Sequence, residues 1–145
     1  MNKLKLILES INSRDFTGAI KLCNEYDKEE SINKHLINNF RGVIYFLEGN
    51  LDLAEKMFLH SHMINNNFED PIKNLYLIYL KKNNTQKLLE FARKLYEITN
   101  QNDLYNYQLA YAYELNNNNK LALEFYIKCI DLNGNSRIKA LNNAG

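Results

Sequence analysis

Small or apolar residues recur along this chain at a nearly constant interval: Ala19, Ala54, Leu88 and Ala122 stand 35, 34 and 34 positions apart. Around these anchors the apolar residues are three and four apart, as in AEKMFLHSHMI, KLLEFARKLYEI and LALEFYIKCIDL. That spacing gathers them on one face of a helix. The segments ahead of them, FRGVIYFL, PIKNLYLIYL and LYNYQLAYAYEL, are spaced the same way. No segment alternates with period two, so the sequence predicts an all-α chain of paired helices. A single pair cannot bury its own apolar face, and stacking on neighbours completes the core.

The punctuation repeats as well. Gly49-Asn50, Asn83-Asn84 and Asn117-Asn118 occupy one register, between the two helices of a pair. Glycine and asparagine both tolerate the left-handed backbone that a tight turn requires. Asn116 to Asn119 is therefore expected to be a turn rather than an aggregation-prone tract. Asn, Lys, Ile, Tyr and Phe are enriched together, and all have A/T-rich codons, so Asn abundance alone is no functional signal. The lone Pro71 follows Asp70 at an expected helix start, where proline is accepted.

These features together resemble the tetratricopeptide repeat family. Its pattern is W-x-x-L-G-x-x-Y on the first helix of a repeat and A-x-x-x-F on the second, with proline at the turn. The second repeat offers Gly42 and Tyr45, then Ala54 and Phe58; the fourth offers Leu109, Ala110 and Tyr113, then Ala122 and Tyr126. The third has Leu75, Tyr76 and Tyr79 followed by Leu88 and Ala92, and the first mainly Phe16, Ala19 and Cys23. Tryptophan is absent, and Asn66, Asn100 and Gly134 stand where the turn proline belongs. The resemblance implies an α-solenoid of antiparallel helix pairs, a right-handed superhelix. Its repeats would span about 1–34, 35–68, 69–102 and 103–137, with a partial fifth at 138–145. Gly42, Ala54, Ala110 and Ala122 would be small because paired helices approach closely there. Tyr45, Phe58, Tyr113 and Tyr126 would fill the wedge to the next repeat. The closing KALNNAG matches the opening of a first helix, which leads us to expect a piece of a longer repeat protein.

In this family the first helices line a concave groove. Carried onto this chain, the groove candidates are Asn39, Phe40, Val43 and Leu47; Lys73, Asn74, Leu77 and Lys81; and Tyr107, Gln108, Tyr111 and Glu114. Amides, aromatic rings and a few charges suit an extended peptide. Asn74, Gln108 and Asn143 hold equivalent positions in successive repeats, resembling the amide ladder that the O-GlcNAc transferase array uses on a peptide backbone. Phe40 interrupts that ladder. A two-carboxylate clamp is matched by Lys73, Gln108 and Lys139 but lacks its remaining polar partners, since Leu77 and Asn143 are the wrong chemistry.

Other functions find little support. Lys and Arg number 18 against 17 Asp and Glu, and no basic stripe exists for a nucleic-acid backbone. No apolar run approaches the roughly 20 residues of a membrane span. MNKLKLILESI begins like a signal peptide, but Lys5 and Glu9 break the apolar stretch and no small-residue cleavage site follows. It reads as an amphipathic helix with Leu4, Ile7, Leu8 and Ile11 on one face. Cys23 and Cys129 are expected as buried free thiols. His60 and His62 point roughly 200° apart on a helix, unsuited to one metal, and His35 has no ligand neighbours at metal spacing. Glycine-rich phosphate loops and nucleophile elbows do not occur, so neither a cofactor nor a metal is expected. The expected function is a cytoplasmic, non-catalytic protein-interaction scaffold that binds an extended peptide or a partner protein. One alternative is the N-terminal array of a larger enzyme such as a glycosyltransferase, and another is self-assembly into a homo-oligomer through uncapped repeat ends.

Overall fold

The computed structural model describes residues 2–29, 32–132 and 134–144. Gly145 of the expected fifth repeat lies outside the described residues. Among those described, every regular element is helical. They are α1 (Lys3–Asn12), α2 (Phe16–Glu29), α3 (Lys34–Leu47), α4 (Leu51–Ile64), α5 (Glu69–Lys81), α6 (Thr85–Ile98), α7 (Asp103–Leu115), α8 (Asn119–Asp131) and α9 (Arg137–Ala144). The chain divides into two compact units, residues 1–75 and 76–145, with the boundary inside α5.

One local device reverses the chain four times. At the end of α3, the Gly49 N–H donates to Phe46 O (3.0 Å) and the Asn50 N–H to Tyr45 O (2.8 Å). Gly49 has φ +83°, the left-handed C-cap that satisfies the last helical carbonyls. The next residue then caps α4, because Asn50 Oδ1 accepts the Leu53 N–H. Asn83-Asn84 and Asn117-Asn118 repeat this geometry, with positive φ at Asn83 and Asn117 and caps on the Lys87 and Leu121 N–H groups. Between α1 and α2 the same turn is made by Arg14, at φ 63°, and Asp15, whose carboxylate accepts the Gly18 N–H.

In the unit 1–75 the core gathers Ile7, Ile11, Ala19, Cys23, Tyr26, Ile37 and Ile44, with Phe40 and Val43 partly buried against it. The small residue at the α3–α4 contact is needed. A Cβ on Gly42 would lie 2.5 Å from two ring atoms of Phe58, and that ring is 1% exposed. Arg41 of α3 pairs with Asp27 of α2 at 2.6 Å. Ser61 of α4 donates its hydroxyl to His35 O.

In the unit 76–145, Tyr79, Leu88, Phe91, Ala92, Leu95, Tyr105, Leu109, Ala110, Ala122, Tyr126 and Cys129 are buried. Two buried or half-buried asparagines brace its connections. Asn106 donates to Asn100 O and Asn102 O, fixing the link from α6 to α7. Asn116 donates to Thr85 O and Ala112 O, tying the start of α6 to the end of α7. Asp103 receives the Ser136 N–H at 2.8 Å, anchoring the approach to α9. Both thiols are free and buried. Burial pushes the Cys23 thiol up to about 11, moderated by the Arg41 charge.

Candidate peptide-binding surface

Within the unit 1–75, three helix faces enclose a hollow of about 530 Å³. The first helix, α1, contributes Leu8, Ile11 and Asn12, with Arg14 following in the turn. From α3 come Asn39, Phe40, Val43 and Leu47, and from α5 Asp70, Lys73 and Asn74. On each helix these residues are spaced about one turn apart and so share a face. Leu8 and Leu47 are 47% and 40% exposed, giving the hollow an apolar floor open to solvent.

The polar groups stand around that floor. Asn74 Nδ2 donates to Asn39 Oδ1 at 3.4 Å, a long and easily exchanged bond. Asn39 is itself buried, so its amide serves packing as well as the hollow. Lys73 lies 3.6 Å from Asp70, with both side chains about half exposed, and such a pair is worth little. Arg14 rests its guanidinium 5.4 Å from the Phe16 ring centre and makes no ion pair among the described residues.

The remaining candidates lie in the unit 76–145. Leu77 is 42% exposed on α5. Tyr107 and Tyr111 of α7 hold their rings within 2° of parallel, 6.3 Å apart. Beneath them Tyr76 is buried, and burial first, then the neighbouring Tyr107 and Tyr111, raise its hydroxyl above the ordinary tyrosine value. Asn143 of α9 donates to Tyr107 Oη (3.4 Å) and Tyr126 Oη (3.1 Å), and Tyr126 donates to Glu114 Oε2 at 2.6 Å. Gln108 has a buried Oε1 with no hydrogen-bond partner among the described residues. The three amides at equivalent positions thus have three different surroundings: Asn74 meets Asn39, Asn143 meets tyrosine hydroxyls, and Gln108 Oε1 has no partner among the described residues.

Six candidates, Asn39, Phe40, Val43, Leu47, Lys73 and Asn74, are brought around one hollow; Tyr107 and Asn143 meet directly, with Tyr111 stacked beside Tyr107. Sequence reasoning missed the share of α1, because the first repeat matches the pattern mainly on its second helix. The Leu8, Ile11, Asn12 spacing was the available signal. No cluster of three or more His, Cys, Asp or Glu able to hold a metal occurs among the described residues. No described helix is long and apolar enough to cross a membrane.

Residues 105–136 match the tetratricopeptide repeat family model. The helix pairs, their period and their turns agree with that match. Over that stretch the chain is similar to the tetratricopeptide repeat family. A crystal structure of MamA shares the fold with TM-score 0.78 at 17% identity, covering 94% of this chain and 78% of that one. The MamA RS-1 ArsTM double mutant superposes at TM-score 0.80 and 16% identity, covering 99% and 82%. MamA 41-end from Desulfovibrio magneticus RS-1 gives 0.73 and 16%, covering 90% and 73%. No curated protein sequence matches the chain. The chain therefore has an all-α fold of helix pairs, shared with these structures.

Proposed function

We propose that this chain is a non-catalytic, cytoplasmic interaction module: one array whose repeats fall at about 1–34, 35–68, 69–102 and 103–137, followed by the start of a fifth. It takes an extended peptide segment of a partner protein. The observation that carries this reading is the hollow among α1, α3 and α5, where an apolar floor is ringed by three amides and two cations. An apolar side chain buried on Leu8, Phe40, Val43 and Leu47 supplies about 1.5–3 kcal/mol. Asn12, Asn39 and Asn74 offer donor and acceptor to the peptide backbone without reading sequence.

A random-peptide display selection on the whole chain tests this. Selected peptides should share an apolar anchor and lose about tenfold in affinity, roughly 1.4 kcal/mol, against Leu8→Glu or Asn74→Ala. Thermal melting should scarcely move, because both side chains are at least partly exposed. Peptides that bind both variants as tightly as the native chain would overturn the assignment.

A further inference from the structure

We infer a second binding site, confined to the unit 76–145, that accepts a basic side chain on the carboxylate of Glu114. A hollow of about 350 Å³ opens where the end of α7, the start of α8 and the end of α9 meet. Among the described residues that line it, Glu114 is the only one with a charged side chain. One of its oxygens is fixed by the Tyr126 hydroxyl at 2.6 Å. A carboxylate accepts about four hydrogen bonds, and Glu114 makes no ion pair among the described residues. The carboxylate is therefore oriented but not neutralised.

The surrounding bonds all run in one direction. Asn143 Nδ2 donates to Tyr126 Oη, and Tyr126 spends its only proton on Glu114. Each donor in this relay reinforces the next, and the relay ends on the anion. Tyr126 is 2% exposed, so the hydroxyl that holds Glu114 comes from a fixed ring rather than a mobile side chain. Ala122 and Leu123 supply an apolar wall, which suits the methylene stem of lysine or arginine while the charged head meets Glu114. An exposed ion pair alone contributes little. Here the pre-set carboxylate and the wall reduce the ordering that such a pair normally costs. The site does not rest on the hollow in residues 1–75, and each can fail without the other.

Titration of the isotope-labelled full chain by NMR tests the inference. The probes are N-acetyl-lysine methylamide, its arginine counterpart and the neutral isostere N-acetyl-norleucine methylamide. Either cationic probe should shift the Asn143 side-chain amide and the backbone amides of Glu114 and Leu123 saturably, and the stronger of the two identifies the favoured head group. Norleucine should leave them unmoved. Glu114→Gln keeps an acceptor for Tyr126, so it should fold normally yet weaken the cationic probe about fivefold. Equal shifts with norleucine, no response to either cation, or unchanged affinity in Glu114→Gln would each overturn the site.

Discussion

Phe58 and Tyr126 occupy one structural position two repeat periods apart, and both rings are buried, at 1% and 2% exposure. They differ by a single hydroxyl, and the surroundings differ with it. Phe58 packs against Gly42, where not even a methyl group fits. At Gly42's counterpart, Ala110, a methyl group is present and fully buried. Tyr126 instead donates to Glu114 and accepts from Asn143. Two periods earlier Glu114 is replaced by Phe46 and Asn143 by Asn74, whose amide turns to Asn39. A position that the family pattern treats as packing is thus purely packing in one unit. In the other it is also the centre of a polar network.

This contrast sets an order of effects. Phe58→Ala removes a whole buried ring and should cost about 3–5 kcal/mol in chemical denaturation; a loss below about 1 kcal/mol would mean that the α3–α4 contact relaxes freely. Phe58→Tyr adds the hydroxyl without Tyr126's carboxylate, so it should destabilise by about 1–3 kcal/mol as a buried group short of partners. Tyr126→Phe, the reciprocal change, should cost only about 1 kcal/mol, the net worth of a typical hydrogen bond. If Phe58→Tyr proves neutral while Tyr126→Phe is costly, Asn74 has swung to the new hydroxyl, and the two units are more alike than their contacts indicate.

Much of this arrangement was legible in the residues. The 34-residue recurrence of Ala19, Ala54, Leu88 and Ala122 located the second helices, and all four anchors are buried. The pairs at 49-50, 83-84 and 117-118 located three turns because glycine and asparagine advertise positive φ. The fourth turn, Arg14-Asp15, was not legible. Backbone hydrogen bonds make it, and an aspartate carboxylate replaces the usual asparagine cap. Asn39, Asn106 and Asn116 were hidden for a different reason: in a chain so rich in asparagine, the type of a residue says nothing about whether its amide is buried. The Tyr126 hydroxyl was missed because the repeat pattern asks only for an aromatic ring at that place.

The four reversals also bear on how quickly the chain finds its structure. Each is closed by bonds between residues three to five apart, as in Asn84 N–H to Tyr79 O and Asn118 N–H to Tyr113 O. Nothing distant must arrive first, so the loop-closure entropy of starting a pair is small. Contacts this local favour rapid folding, with any of the four helix pairs able to serve as the nucleus from which its neighbours are recruited.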